Sequence, residues 1–378
     1  MTRRPDHPLL DALRSGALSR RDFVRRALAA GAGLPAIGSV LAACGGGGAE
    51  RPAAGGMPPM PAAPEGEVAI YNWSDYIGET TIADNERETG VRVSYDTYES
   101  NEDLIAKLQA GATGYDLVMP SNYAVRVMRE IGLIEPIDRS VLSNWGNLDP
   151  AFLAQPFDPE NAWTVPWQWG TAGLAVRTDR MPVPDSWAVF HDAAWRGKMT
   201  QLDDMRDVIG CWLKYRGRSL NSVDPAELAG AKADALRAKA NLKSYLSAPV
   251  KAQLIAGDVW LAHLWNGDTA QAKTAQPALE FVLPREGSMI YLDSMVIPRG
   301  ARRRRAAHEF INFVLRADVA AGISRKSGYG SPNGAALAAD PTLLRPPSPE
   351  EMRRLEYQED LGAATGEWDR IWTEIKAG

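Results

Sequence analysis

From Glu67 onward, short apolar runs alternate with helix-length segments, and this alternation restricts the possible folds more than any other feature. "EVAIYNW" (67–73) predicts a strand, residues 79–89 a helix, and "VRVSYDTY" (91–98) a second strand. Ser100 to Ala110 reads as a helix that Ser100 can cap, "YDLVMPS" (115–121) as a third strand, and residues 122–131 as a further helix. A strand that leaves through a helix and returns as a strand comes back parallel to the first. The pattern therefore predicts an α/β fold with a mostly parallel sheet and helices on both faces. A passage rich in proline and tryptophan, Pro156 to Gly170, interrupts the rhythm, which resumes at "KMTQLDD" (198–204), an apolar helix and "VWLAHLW" (259–265). "MIYLDSMVIP" (289–298) predicts a strand leading into one helix over "AAHEFINFVLRADVAAGI" (306–323). The last helix legible in the sequence opens at Ser348-Pro349-Glu350-Glu351, a capping box with proline at the first helical position.

The N-terminus belongs to none of this. Twin arginines, Arg20 and Arg21, precede a weakly apolar stretch too short and glycine-rich to span a bilayer, and Leu41-Ala42-Ala43-Cys44 follows. The order is that of an export signal over residues 1–44 ending at a lipobox, with Cys44 the residue that would carry lipid. Residues 45–66, rich in Gly, Pro and Ala, then read as a flexible tether. With 378 residues, 45% of them hydrophobic, the chain can fill two domains beyond the tether. The second of its 2 cysteines, Cys211, lies in the apolar run "VIGCWL" and reads as a buried packing residue, leaving no pair for a disulfide. Removing residues 1–43, with 7 basic and 3 acidic residues, moves the formal charge from −5 to −9. That sign argues against nucleic acid and mildly favours a cationic ligand.

In open α/β sheets a ligand binds beyond the carboxyl ends of the strands. "NWSDY" (72–76), "PSNY" (120–123), "QLDD" (201–204), "LWNGD" (264–268) and "YLD" (291–293) all fall there. Catalysis finds little support among them. Outside the signal the histidines are His191, His263 and His308, at no metal-ligand spacing, and no nucleophile elbow, Walker loop or GxGxxG is present. No metal or cofactor is expected. Asp203-Asp204-Met205-Arg206-Asp207 matches the DDxxD pattern of the all-helical prenyl synthases, but in an exported α/β chain it reads as a solvated helix N-terminus whose acids complement the dipole. What recurs at the strand ends is an aromatic beside a carboxylate: Trp73 and Tyr76 near Asp75, Trp265 near Asp268, Tyr291 near Asp293. A ring face attracts a cation by about 0.5 to 2 kcal/mol, and a carboxylate adds a charge-assisted hydrogen bond. A flexible polycation with methylene spacers needs both.

With those residues in view, the chain resembles the spermidine/putrescine-binding proteins of bacterial polyamine ABC transporters. "YNWSDYI", "YDLVMPSNY", "VPWQWG", "LWNG", "YLDSMVIP", "INFVLRADVA" and "SGYGSPN" carry the likeness in the family's order. The resemblance implies a two-domain periplasmic-binding-protein fold of type II, with residues 67–172 plus 292–337 in one lobe and 173–291 plus 338–378 in the other. It also implies a ligand cleft between hinged lobes. Ligand contacts are then expected from Trp73, Ser74, Tyr76, Ser121, Tyr123, Asp204, Asp207, Trp265, Asp268, Tyr291, Asp293, Tyr329 and Gln358. Asp207 stands where the spermidine-type members have glutamate, and Tyr291 where they have tryptophan. Asp268 resembles an acid of the putrescine-selective members and Asp204 one of the spermidine-preferring ones, so the choice of amine stays open. The implied partners are a polyamine, the permease with its ATPase, and a membrane through lipid on Cys44, with a monomeric body outside the cytoplasm. A receptor for another organic cation, a polyamine sensor without transport, a ferric receptor and an exported hydrolase are the alternatives. The few histidines disfavour ferric ion, and the absence of catalytic motifs disfavours the hydrolase. The basic run Arg302 to Arg305 is expected to be a solvated helix start.

Overall fold

The computed structural model describes residues 59–111, 114–247 and 249–378. The export signal, Cys44 and residues 45–58 of the tether lie outside the described residues. Strands β1 (Glu67–Trp73), β2 (Arg92–Tyr98) and β3 (Leu117–Val118) form a parallel sheet in the order β2-β1-β3, with Trp73 level with Tyr98. Helices α1 (Thr81–Thr89), α2 (Asn101–Gln109) and α3 (Asn122–Glu130) alternate with them as expected, and the Ser100 side chain accepts from the Asp103 N–H to cap α2. A two-residue β4 (Ile134–Glu135) follows.

The next strand, β5 (Val165–Arg177), is buried at all 13 positions, so it shows no alternation for a sequence reader to find. After it come β6 (Met199–Gln201), α4 (Met205–Tyr215), α5 (Pro225–Lys239), β7 (Leu242–Tyr245), α6 (Val250–Ala256), β8 (Leu261–Trp265), α7 (Asn266–Ala275), β9 (Leu279–Val282), β10 (Ser288–Met295) and β11 (Ile297–Pro298). Helices α8 (Arg304–Val314), α9 (Ala317–Ser327), α10 (Gly334–Ala339) and α11 (Pro349–Met352), strand β12 (Leu355–Tyr357) and helix α12 (Thr365–Ala377) complete the chain. The larger sheet has the order β12-β10-β5-β8-β6-β7, with β9 also pairing β5. It is mixed rather than mostly parallel, because β5 runs antiparallel to β8, β9 and β10 while β6 runs parallel to both β7 and β8. Strand direction is decided by partners far along the chain, which the hydrophobic period of one segment does not encode.

Within β5 the packing changes hands. Val165, Trp167 and Ala172 join the core around β1 and α8, whereas Leu174 and Val176 join the core around α4, α5 and α12. Strand β10 slips register on β5 between Asp293 and Ser294, a bulge that re-aims its side chains, and isolated bridges from Ser121 to Asp293 and from Val118 to Val296 tie it to the end of β3.

Four expectations need correcting. The helix expected over 306–323 is two, α8 and α9, because the Leu315 carbonyl accepts side-chain amides from Asn147 at 2.9 Å and Asn333 at 2.8 Å in place of continuing the helical ladder. The capping box at Ser348 is formed, but it opens only a four-residue turn, and α12 lies beyond it with Trp368, Ile371, Trp372 and Ile375 buried at helical spacing. No side chain caps the start of α12, so the sequence carries no marker there. The basic run at α8 is mostly not solvated. Arg303 pairs with the buried Asp116 and with Glu67, Arg304 with Glu135, and Arg305 with Glu309. Asp116 also accepts the N–H groups of Ala69, Arg302 and Arg303, so the run anchors α8 to the first sheet. Finally, the acids at the start of α4 are not all solvated, since Asp207 is 4% exposed.

Candidate functional site

Beyond the ends of β1 and β3 the chain brings together a network centred on Asp293. Tyr76 Oη donates to Asp293 Oδ2 at 2.8 Å, and Asp293 Oδ1 is buried with no hydrogen-bond partner. No Lys or Arg among the described residues forms an ion pair with this carboxylate. Burial pushes the Asp293 carboxyl up to about 7, with the neighbouring hydroxyls of Ser121 and Tyr76 acting in the opposite sense. A buried carboxylate with an open oxygen is costly unless it is protonated or meets a cation. The Tyr329 ring stands edge-on to Tyr76 at 4.9 Å and lies 6.2 Å from Tyr291. Burial raises the hydroxyls of Tyr76, Tyr291 and Tyr329 well above the ordinary range, so all three act as neutral donors with apolar faces. Tyr329 Oη donates to Asp268 Oδ1 at 3.2 Å, and Lys251 Nζ lies 3.4 Å from the same oxygen.

Local structure explains how these side chains arrive. Tyr291 and Asp293 are two apart on β10 and share one face. Gly170 stands opposite Tyr291 in the ladder, where a Cβ would come within 2.3 Å of the Tyr291 hydroxyl. Gly267 opens the same kind of space for Tyr329, whose ring would lie 2.4 Å from an added Cβ. Tyr76 follows a tight turn in which Asp75 takes a left-handed backbone (φ 55), a conformation that Asp tolerates, and the Tyr76 carbonyl is held by Gln168 Nε2 at 3.1 Å.

A second group gathers at the start of α4. Asp204 caps the helix, its Oδ1 accepting the Asp207 N–H at 2.9 Å. Asp207 accepts from Trp265 Nε1 at 3.2 Å and from Gln358 Nε2 at 3.4 Å. Burial raises the Asp207 carboxyl well above the usual carboxylate range, the nearby Asp204 adds to this, and the Trp265 hydrogen bond and Arg206 oppose it. Burial likewise raises Asp204. The Arg206 guanidinium lies 5.7 Å from the Tyr123 ring centroid and donates to the Glu359 carbonyl at 2.8 Å and to Asn221. Tyr123 Oη takes a bond from Asn101 at 3.0 Å and donates to Glu102 at 3.2 Å.

Two short segments reach both groups. Ser121 bridges to Asp293 while Tyr123 faces Arg206, and Asn122 between them donates to the Gln358 carbonyl at 2.6 Å. Trp265 bonds Asp207 while Asp268, one helical turn on, meets Tyr329. Acids thus stand in both groups, Asp293 and Asp268 in one and Asp204 and Asp207 in the other, with aromatic rings beside each. Trp73 and Ser74 stand apart from these hydrogen bonds. Trp73 donates to the Met119 carbonyl at 2.8 Å with Tyr98 at 4.5 Å, and Ser74 is exposed and donates to Glu99. Lys251, Arg206 and Asn101 were missed by the sequence reading, because each lies outside the strand-end segments that direct attention to a site.

The other chemistry-bearing residues are structural. His263 is buried, which lowers its imidazole to about 3, His191 stacks on Trp212 at 4.6 Å, and His308 accepts the Asp138 N–H. Cys211 is buried and donates to the Val208 carbonyl. Among the described residues, no cluster of three or more His, Cys, Asp or Glu is placed to hold a metal.

Residues 80–346 match the family of bacterial extracellular solute-binding proteins. The spermidine/putrescine-binding periplasmic protein of Escherichia coli (strain K12) is 36% identical over 319 residues, covering 82% of this chain and 91% of that protein. The putrescine-binding periplasmic protein of the same strain is 33% identical over 345 residues, covering 84% and 93%. Among solved structures, a putative spermidine/putrescine ABC transporter protein from Listeria monocytogenes superposes with a TM-score of 0.77 at 32% identity, covering 82% of this chain and 99% of that one. A lipoprotein of Treponema pallidum gives a TM-score of 0.76 at 31% identity, covering 82% and 100%.

Proposed function

This chain belongs to the bacterial extracellular solute-binding proteins, and from that membership we propose that it captures a polyamine, spermidine or putrescine, outside the cytoplasm and delivers it to an ABC permease with its ATPase. Its fold is the type II periplasmic-binding-protein fold. The observation that carries the reading is Asp293: a buried carboxylate with one oxygen unpartnered, walled by three tyrosines. An ammonium meeting that oxygen gains a charge-assisted hydrogen bond where little water competes, and it relieves the cost of the buried charge. A second ammonium is assigned to Asp207 and Asp204, and the methylenes between to the faces of Trp265, Tyr291 and Tyr123. Trp73, Ser74, Ser121, Tyr76, Tyr329 and Gln358 complete the proposed contacts, and Asp268, expected from the resemblance to contact ligand, is instead paired with Lys251 at the rim. The change of core within β5 supports the boundary after residue 172 in the proposed lobes of residues 67–172 plus 292–337 and of 173–291 plus 338–378, which would close on the ligand as a monomer. Lipid on Cys44 would hold the body at a membrane.

Titration calorimetry on the protein, unfolded and refolded to strip bound ligand, against putrescine, cadaverine, spermidine and spermine tests this. Tight binding of at least one is expected. Binding of none would mean that the fold serves another cation.

A further inference from the structure

Two carboxylates of the Asp293 network are served very differently. Asp293 Oδ1 has no partner, whereas Asp268 is already met by a cation of the chain itself. Lys251 Nζ lies 3.4 Å from Asp268 Oδ1, 3.1 Å from Asp75 Oδ2 and 2.9 Å from Gln271 Oε1. Three oxygens around one ammonium match its three donors, so its hydrogen-bonding capacity is filled. Lys251 comes from α6, Asp268 from the first turn of α7, and Asp75 from the turn after β1, so the ammonium ties the end of the first sheet to helices beside the second. Its side chain is 20% exposed and that of Asp75 is 71% exposed, which sets this contact at the rim of the site, with Tyr329 and Tyr76 between it and Asp293.

Resting on the polyamine reading, we propose that Lys251 is a specificity-determining residue, an ammonium supplied by the protein that fills the Asp75–Asp268 position and so leaves acid for ligand ammoniums only at Asp293 and at the Asp204–Asp207 pair. A diamine needs two such positions. A triamine brings a further ammonium, which at the rim meets Lys251 and finds its carboxylates taken, so rejection of the longer amine comes from like charge rather than from lost contact. The site therefore prefers putrescine to spermidine.

The test is the ratio of spermidine to putrescine dissociation constants, measured by calorimetry on stripped full-length protein, for the parent and for Lys251→Met, Lys251→Gln and Lys251→Arg. Methionine keeps most of the aliphatic stem and glutamine gives an independent neutral side chain, while arginine keeps the charge. Both neutral variants are expected to shift the ratio towards spermidine by at least about tenfold, the scale of removing one close like charge, and the arginine variant is expected to keep the parent's preference. An unchanged ratio in the neutral variants, or a parent that prefers spermidine, overturns the role of Lys251 while leaving polyamine capture intact. A parent that binds neither amine removes both.

Discussion

As the proposed partner of a ligand ammonium, Asp293 carries a cost to the protein's own stability. With the carboxyl raised from its ordinary 3.8 to about 7 by burial, the native state holds a proton that the unfolded chain has released between those limits. Stability from this group is fully present below about pH 4 and is lost as pH rises through about 7, a change of about 4 kcal/mol. Asp293→Asn is therefore expected to melt at a higher temperature than the ligand-free parent at pH 8, while losing at least about 2 kcal/mol of amine affinity in calorimetry. Equal affinity in the two proteins would remove Asp293 from the site. The same carboxyl sets a pH profile. An ammonium needs it ionised, so binding near pH 6 releases a proton and affinity rises with pH until it levels above about 7. Calorimetry in buffers of different ionisation enthalpy measures that proton, and a pH-independent affinity would contradict the assignment. The sequence placed Tyr76 and Asp268 just past strand ends, as they are, but it also expected Tyr291 and Asp293 there, and both lie inside β10, facing the site because its side chains alternate. The sequence did not show that Asp268 is filled and Asp293 open, because Lys251 lies on a helix with no motif of its own.

Among the elements, α7 and the break between α8 and α9 separate the roles of site and scaffold. Gly267 in the first turn of α7 lets the Tyr329 ring lie against the backbone. Gly267→Ala is expected to push Tyr329 off Asp268 and Tyr76, costing about 1–3 kcal/mol of stability and at least about tenfold in amine affinity, read by thermal melts and calorimetry. Asn333 works elsewhere: it caps α10 through the Ala336 N–H and bonds the Leu315 carbonyl where α8 ends. Asn333→Ala is expected to lower stability by about 1–3 kcal/mol in a denaturant titration and to leave amine affinity unchanged. Caps such as Ser100 and Ser348 were legible because their chemistry is local. The two-helix break was not, since the amides that end α8 come from residues 147 and 333, remote along the chain.

On the scale of the whole molecule, strand–helix alternation announced an α/β fold, but the direction of β5 and β10 follows from partners more than a hundred residues apart. Because β5 contributes to cores on both sides of Ala172, the proposed lobes share a strand and closure must bend it. Small-angle scattering is expected to show a smaller radius of gyration with saturating amine, and an unchanged radius would contradict closure. At 1,000-fold excess over the dissociation constant, the ligand adds about 4 kcal/mol to the native state, visible as a higher melting temperature. Cys211 has a consequence of another kind. Its thiol is 3% exposed, turned to a backbone carbonyl and pushed up by burial, so thiol-directed dyes have no native target among the described residues. With Cys44 replaced, a cysteine introduced at the exposed Glu99, beside Ser74, would take one fluorophore without disturbing Cys211, and the protein would become an optical reporter for its own ligand.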